Sequence, residues 1–369
     1  MSVQLRALSA IVLAGVLAIP PTSRSQSQQA SSEYEFNDSH FHLTNYIQEG
    51  PSIREFLKMM GGTVGRSTLF GIPLQQQWSY RISADNAPTY YLQTDAPLYY
   101  YSFTDAAIAT AYLSLTQQER TRFDPLITGF NPSDMYGADH IRRVLLTFPG
   151  VFCGIGEFTI HKEFVSSKTA GGPASLFDPA VDRVLGFAEE AGLVALIHND
   201  VDIPFAKPED PPAYLDGMKA LLRQHPGTTI IWAHMGVGRV VRPISHHTGM
   251  IENILQDPGM RHVMFDISWD EVAKYVVASP ESLKLTADLI NKYPDRFLFG
   301  TDSLAPKDEQ NYLKTYHTYA PLWPLLTKDA SVKVRKDNYT RTFDEATRKV
   351  RAWEAMHVPG SQFVLPITR

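Results

Sequence analysis

The sequence predicts an α/β fold: a (β/α)8 barrel of the TIM type, with insertions in its active-site loops and extra C-terminal helices. The length of 369 residues exceeds one ordinary domain but suits a large barrel. Short apolar runs alternate with amphipathic helical patterns, which is typical of parallel strands. Eight such runs can be counted, the number that a closed barrel needs. A doubly wound open sheet is the alternative, because periodicity alone does not distinguish the two.

The composition excludes several classes of protein. Hydrophobic residues make up 44% of the chain and charged residues 20%, which favours a packed core and excludes a disordered protein. The formal net charge of −5 carries no basic excess, so binding to nucleic acid through charge is not expected. The single cysteine, Cys153, excludes an intramolecular disulfide framework and a zinc site built from cysteines.

Residues 1–25 are predicted to be a secretory signal peptide. Arg6 precedes an apolar run, Ala7–Ile19, which ends at two prolines and a polar stretch with a plausible cleavage site after Ser25. An uncleaved membrane anchor is the alternative, but the run is too short to span a bilayer comfortably. We therefore expect an exported, periplasmic or extracellular protein with no stable membrane insertion after cleavage. Residues 26–35 are expected to be flexible, and residues 36–369 to form one barrel domain.

The predicted strands share short β-branched or apolar runs that end in polar residues. They lie near Phe36–Leu43, Ser67–Ile72, Leu126–Phe130, Val151–Phe158, Val194–His198, Thr229–His234, His262–Ile267 and Phe297–Thr301.

Helices are predicted between the later strands. Asp178 is a helix N-cap followed by proline, and Gly192 ends that helix. A second apolar helical face begins at Tyr214, and a third helix begins at Ser279. The segment Val334–Trp353 is expected to be a further helix that packs outside the barrel.

Two long insertions interrupt the regular alternation. Gln75–Phe103 is rich in tyrosine, and His161–Phe177 is rich in glycine, serine and alanine. Both are expected after strand C-terminal ends, which form the active-site face of a barrel. The aromatic segment is interpreted equally well as a substrate wall or lid, as a flap that buries itself, or as an oligomer interface.

The first predicted strand contains a His-x-His motif. Side chains alternate along a strand, so His40 and His42 face one side while Phe41 and Leu43 face the helices. Two imidazoles on an inward face are typical of a metal site, because histidine is the commonest metal ligand. Taken alone, the motif is a weak signal.

Further metal-ligand residue types follow other predicted strands, at the mouth of the barrel. They are Glu157, His198, His234 and Asp302. Any one of them is commonly a structural residue, but their appearance at successive strand ends indicates a shared site. Nitrogen and oxygen donors of this kind suit a divalent metal, with zinc the preferred candidate.

Taken together, these motifs resemble those of the amidohydrolase superfamily, in particular the amidohydrolase-related group of metal-dependent hydrolases. The resemblance covers the chain from about Asn37 to about Ser303, in the family's order. It implies that residues 36–369 form an amidohydrolase-like barrel domain.

The resemblance also implies roles for the six residues. His40, His42 and Asp302 would hold the more buried metal, and His198 and His234 a second metal. Glu157 would bridge the two ions, where many relatives use a carboxylated lysine. The chain would therefore hold one or two divalent ions, with Asp302 as the catalytic residue that moves a proton.

The function implied is that of a secreted or periplasmic metal-dependent hydrolase. It would use metal-activated water on a small ester, lactone, amide or related C–O or C–N bond. The alternative is a single-metal decarboxylase or hydratase of the same superfamily, a group that generally lacks a ligand on the fourth strand. A barrel that only binds a ligand is less favoured, because the set of ligands is complete.

Four more residues are candidates for substrate binding: His161, Lys162, Arg239 and Trp269. The first two follow the fourth strand and could contact an anionic or carbonyl group of the substrate, although a surface-loop pair is slightly favoured. The arginine could bind a substrate carboxylate or be structural. The expected partner is a small-molecule substrate, and a homo-oligomer is left open.

Overall fold

The computed structural model describes residues 34–358 except 80 and 82–85. The predicted signal peptide, residues 1–25, lies outside the described residues, as does most of the predicted flexible segment 26–35. None of the helices within the described residues combines the length and the hydrophobicity of a membrane-spanning segment.

Eight parallel strands form the central sheet, in the order β1-β3-β6-β7-β8-β9-β10-β11. Neighbouring strands follow the chain order, so the sheet has no switch point of the doubly wound kind. The strands are β1 (Phe36–Asp38), β3 (Val64–Leu69), β6 (Phe123–Ile127), β7 (Gly154–His161), β8 (Val194–Asn199), β9 (Ile230–Trp232), β10 (Val263–Asp266) and β11 (Phe297–Leu298).

The two edges of this sheet are joined by backbone hydrogen bonds. The N–H of Ser39 donates to the Phe299 carbonyl (3.1 Å), and the N–H of Asp302 donates to the His40 carbonyl (2.8 Å). The short strands β2 (Phe41–His42) and β12 (Ser303–Leu304) then pair in parallel. The predicted (β/α)8 barrel is thereby confirmed over the open sheet.

Several strand boundaries differ from the prediction. The first strand is divided into β1 and β2, because the Asp38 side chain accepts the N–H groups of His40 and Thr301. β6 begins at Phe123, earlier than predicted, and contains Pro125. This proline lacks an amide donor, but its carbonyl still accepts from the N–H of Cys153 (3.0 Å).

Helices separate the barrel strands and surround the sheet. They are α1 (Ile53–Met60), α2 (Phe103–Leu113), α3 (Gln117–Arg120), α4 (Gly137–Thr147), α5 (Glu163–Lys168), α6 (Pro179–Ala191), α7 (Leu215–Gln224), α8 (His247–Gln256), α9 (Asp270–Val276), α10 (Pro280–Lys292), α11 (Glu309–Tyr312), α12 (Lys314–Thr318), α13 (Lys328–Val332) and α14 (Asn338–His357). The expected caps of α6 are present: the Asp178 side chain accepts from Ala180 N–H, and Gly192 adopts a left-handed conformation. The capping box of α10 at Ser279 likewise matches its predicted start.

The helix predicted within Val334–Trp353 is present as α14 (Asn338–His357) and packs against the barrel. Its residues Tyr339, Phe343 and Ala346 belong to a core cluster with inward residues of the strands, such as Leu196. Later residues of the helix, including Trp353, pack with the outer helices. The amphipathic pattern identifies the helix but does not say which surface its apolar face covers.

The two predicted insertions pack against each other. β4 (Leu74–Gln76) and β5 (Leu98–Tyr100) form an antiparallel pair. The N–H of Ala170 donates to the Leu98 carbonyl (2.7 Å), and Lys168 Nζ donates to the Tyr91 carbonyl (2.6 Å). Tyr91, Leu98 and Val165 share a small core cluster. The aromatic segment is therefore in part a layer that buries itself against the second insertion.

Candidate metal centre

His40 and His42 turn their rings toward the same carboxylate, as the alternation of side chains requires. Their Nε2 atoms lie 3.3 and 3.1 Å from Asp302 Oδ1, and both histidines are buried. Phe41 points the other way and stacks on Phe56 of α1.

The chain around Asp302 is arranged to allow this close approach. Gly300 leaves room for His40, because a Cβ on the glycine would lie 2.7 Å from the His40 Cβ. The hydroxyl of Thr301 donates to Asp38 Oδ2 (2.7 Å) and anchors the turn. Asp302 itself has a φ of 48°, a left-handed conformation that non-glycine residues adopt rarely and mostly where structure or function demands it.

A second group of donors meets at Glu157 of β7. Its Oε1 lies 2.6 Å from Nδ1 of His198 and 3.4 Å from Nε2 of His234. Its Oε2 lies 3.4 Å from Nε2 of His42, so this carboxylate touches both groups. His234 follows β9 with a φ of 57°, which turns its side chain into the barrel mouth.

The donor set fits a divalent metal. The Nε2 atoms of His40 and His234 are buried, and neither has a hydrogen-bond partner among the described residues. Nitrogen and oxygen ligands lie about 2.0–2.2 Å from zinc, so two ligands of one ion lie roughly 3–4 Å apart. The Nε2 atoms of His40, His42 and His234 lie 3.1 to 3.8 Å from the Asp302 oxygens, which is a separation of this size.

Two residues behind the donors orient the rings. Asp266 Oδ2 accepts from Nδ1 of His40 (2.8 Å), and Asp266 Oδ1 accepts the backbone N–H of His234 (2.7 Å). Ser268 Oγ lies 2.8 Å from Nδ1 of His234. With hydrogen on Nδ1, each ring presents an Nε2 lone pair to the site. In the sequence, Asp266 and Ser268 stand at the end of the seventh predicted strand, a position that does not reveal these contacts.

His198 lies between two carboxylates. Its Nδ1 contacts Glu157, and its Nε2 lies 3.1 Å from Asp200 Oδ1. The other oxygen of Asp200 accepts the backbone N–H of Glu163 (2.7 Å). Asp200 therefore links this ring to the start of α5.

Burial and charge set the protonation of the centre. Burial alone would raise the pKa of Glu157, but Lys162 and His198 hold this pKa well below its usual range. Burial opposes ionisation of Asp302 too, yet His40 and His42 lower its pKa. Burial lowers the pKa of His234, which favours the neutral ring that binds a metal.

Without an ion, two other rings favour the protonated form. Despite burial, Asp302 and Asp266 raise the pKa of His40 well above its usual value. Burial and Lys162 lower the pKa of His198, but Glu157 and Asp200 raise it overall. Metal binding to these rings would therefore release protons.

Three of the four substrate-binding candidates surround the donors. Lys162 Nζ lies 3.4 Å from Glu157 Oε1, and the Trp269 ring lies 5.2 Å from the His234 ring. Arg239 pairs with Glu271 and lies 5.6 Å from the Trp269 ring centre. His161 is placed elsewhere, since its ring stacks on Tyr214 at 3.8 Å.

Two tyrosines also border the site: Tyr90, which belongs to the predicted aromatic segment Gln75–Phe103, and Tyr46, which the sequence did not single out. The Tyr90 hydroxyl accepts from Arg239 Nη2 (3.0 Å). Tyr46 is buried four residues after His42; burial raises its pKa, and Lys162, Glu157 and Asp302 also act on that pKa. Tyrosine four residues beyond a His-x-His motif is too common a pattern to have identified it.

A cavity of about 450 Å³ opens beside Asp302 at the barrel mouth. Its lining includes Tyr90, Arg239, Asp270 and Lys314. Asp302 thus faces the other donors on one side and a space of small-molecule size on the other.

The sequence matches a known protein family. The sequence model of the amidohydrolase family matches residues 38–344, and the chain belongs to that family. It is an enzyme of the family, built on the TIM-type barrel. No curated protein sequence matches the chain significantly.

Solved structures with similar architecture include three described as enzymes of related classes. A zinc-bound amidohydrolase from Burkholderia multivorans has 12% identity and a TM-score of 0.49, over 84% of this chain and 99% of that one. A dihydroorotase from Campylobacter jejuni has 12% identity and a TM-score of 0.47, over 84% and 83%. A 5-carboxyvanillate decarboxylase from Sphingomonas paucimobilis has 15% identity and a TM-score of 0.43, over 81% and 84%. Membership of the family rests on the sequence match.

Proposed function

We propose that the protein is an exported, zinc-dependent hydrolase that cleaves a small ester, lactone, amide or related C–O or C–N bond. One observation carries the proposal. Asp302 lies within 3.3 Å of the ring nitrogens of His40 and His42 and also lines the cavity where a substrate would enter. A carboxylate in this position can take a proton from water and deliver it to a leaving group.

A divalent ion held by His40, His42 and Asp302 would lower the pKa of a water molecule and polarise the substrate carbonyl, and Glu157, His198 and His234 form a second group of donors beside it. The proton transfers are carried out by a side chain of the protein. Asp302 Oδ2, which lies 3.8 Å from His234 Nε2, would accept the proton of the attacking water. The same carboxyl then protonates the departing oxygen or nitrogen, which restores the starting state.

Cationic and aromatic side chains beside the donors would position the substrate. Lys162 and Arg239 each lie 5.6 Å from the centre of the Trp269 ring, and Arg239 also lines the cavity. The ammonium of Lys162 can bind the carbonyl oxygen as negative charge develops on it. Arg239 and Tyr90 form a polar edge that suits an oxygen-bearing substituent.

Export rests on residues 1–25, whose apolar run and small residues are typical of a cleaved signal. The test is the N-terminus of the protein recovered from the periplasm or medium of a bacterial host. We expect it to begin at Gln26. Recovery of the intact Met1 chain in the cytoplasmic fraction would contradict export without touching the hydrolase proposal.

A single-metal decarboxylase is the second candidate. It is supported by the contact of Lys162 with Glu157, because a carboxylate that already binds an ammonium is less available to a second ion. Release of carbon dioxide from an aromatic carboxylate, with no turnover of esters, lactones or amides, would favour this candidate.

The hydrolase proposal is tested with a panel of esters, lactones and amides on the zinc-loaded protein. We expect turnover of at least one class, abolished by a chelator and restored by zinc. Turnover that persists in the metal-free protein would overturn the proposal.

A further inference from the structure

Lys162 is a buried cation inside the candidate metal centre. Its side chain is 7% exposed. Its Nζ lies 3.4 Å from Oε1 and 3.5 Å from Oε2 of Glu157, so the ammonium contacts both oxygens of that carboxylate. Glu157 is the only acidic side chain within ion-pair distance of Lys162 in the described part of the chain. Among the described residues, Lys162 therefore forms its ion pair with Glu157 alone, the residue that contacts both groups of donors.

The chain around Lys162 fixes this position. Its backbone N–H donates to Ser166 Oγ (2.8 Å), and the next residue, Glu163, donates its N–H to Asp200 (2.7 Å). Asp200 also contacts the ring of His198. The carboxylate of Asp200 thus binds both the start of α5 and the ring of His198, which fixes the Lys162 ammonium relative to that ring.

The Lys162 ammonium lies beside the donor atoms that a second metal ion would need. That ion would be held by Glu157, His198 and His234, whose donor atoms lie within 4.8 Å of one another. Lys162 shares Glu157 with this group. It also shares the Trp269 ring, which lies 5.6 Å from Nζ and 5.2 Å from the His234 ring. In two-metal sites the ions lie about 3.5–4 Å apart and share a bridging ligand, and a fixed positive charge on that ligand opposes such an arrangement.

We propose that Lys162 is the second cation of the centre, so that each chain holds one divalent ion, bound near His40, His42 and Asp302. The inference rests on the proposed function as a metal enzyme. Lys162 supplies to Glu157 the positive charge that a second ion would otherwise bring. His198 then remains a hydrogen-bonding group between Glu157 and Asp200.

The test counts zinc ions per chain. The protein and its variants are dialysed against zinc, freed of loosely bound ions, and measured by inductively coupled plasma mass spectrometry. We expect one ion in the natural protein, two in Lys162→Met, and one in Lys162→Arg, which keeps the charge. Lys284→Met is the matched control, because this lysine side chain is 73% exposed on α10, and it should hold one ion.

Each result bears on the proposal. Two ions in the natural protein would overturn it while leaving the hydrolase proposal intact, whereas no bound ion would overturn both. One ion in Lys162→Met would also overturn it, because the ammonium would not be what excludes the second ion. Thermal melting verifies that each variant is folded. If Lys162→Met does not fold, Lys162→Gln replaces it with the same expected count of two.

Discussion

Asp302 lies at the boundary between the candidate metal centre and the cavity. It lies against the ring nitrogens of two histidines, and it lines the cavity at the barrel mouth. Burial would raise its pKa, but the adjacent rings of His40 and His42 lower it, so the carboxylate is ionised at neutral pH. Because Asp302 is ionised, it can accept a proton from the attacking water during the reaction.

Asp302→Asn should therefore remove most of the activity. We expect kcat to fall at least about 100-fold, the usual contribution of a positioned acid or base, while the melting temperature stays within a few degrees. Asp270→Asn is the control, since this aspartate lines the same cavity but pairs with Lys314. A loss of less than threefold in Asp302→Asn would show that the proton moves through another group.

Asp266 acts one step further from the substrate. Its two oxygens contact the ring of His40 and the backbone of His234, and it is fully buried. Replacing it by asparagine removes the negative charge that holds hydrogen on His40 Nδ1, so Nε2 presents its lone pair less reliably.

We expect Asp266→Asn to weaken zinc binding about 10- to 100-fold, the range measured when such supporting partners are removed. Competition with a chromophoric chelator gives the dissociation constant. Asp288→Asn, an exposed aspartate on α10, should bind zinc like the natural protein. An unchanged dissociation constant in Asp266→Asn would mean that the histidines are oriented by packing alone.

At the scale of elements, the six candidate ligands could be predicted because each depends on a local rule. Alternation along a strand places His40 and His42 on one side, and the ends of parallel strands converge at the barrel mouth. The supporting partners follow no local rule. His40 and Asp266 are separated by 226 positions in the chain, and their contact appears only once the barrel is closed. The stacking of His161 on Tyr214 was unpredictable for the same reason.

The aromatic segment is the element whose role the sequence left open. Its residue Tyr91 is 1% exposed, and its hydroxyl donates to the buried carboxylate of Glu163. That carboxylate also accepts the N–H of Val240 (3.2 Å), and the backbone of Glu163 binds Asp200. The segment is thus joined through one glutamate to the residue that supports His198.

Tyr91→Phe removes the hydroxyl and leaves the buried glutamate with one partner fewer. We expect the free energy of unfolding to fall by about 1–3 kcal/mol, the usual cost of a buried polar group that loses its partner. Hydrogen exchange should quicken in residues 90–100 and in α5. Tyr99→Phe is the control, because Tyr99 is 43% exposed in the same segment. Equal protection from hydrogen exchange in Tyr91→Phe and Tyr99→Phe would show that the contact with Glu163 does not hold the aromatic segment in place.

At the scale of the whole molecule, folding also buries titratable groups that are not among the candidate metal ligands. His247 is an example. It lies at the start of α8, 8% exposed, and its Nε2–H donates to the Met235 carbonyl (2.9 Å). Burial lowers the pKa of this ring from 6.5 to about 4, although the hydrogen bond to the Met235 carbonyl acts in the opposite direction. The folded protein therefore keeps His247 neutral in a range of pH where the unfolded chain protonates it.

The difference in pKa makes stability depend on pH in a defined window. A histidine with a lowered pKa in the folded state stabilises the fold above pH 6.5, and this contribution is lost as the pH falls toward 4. We expect the metal-free protein to lose about 3 kcal/mol more between pH 7 and pH 4 than His247→Gln, whose amide keeps the donor but does not titrate. Urea unfolding at each pH measures this, with the exposed His246→Gln as the control. Parallel stability curves for the natural protein and His247→Gln would show that the ring is protonated in the fold without cost, because α8 opens to admit water.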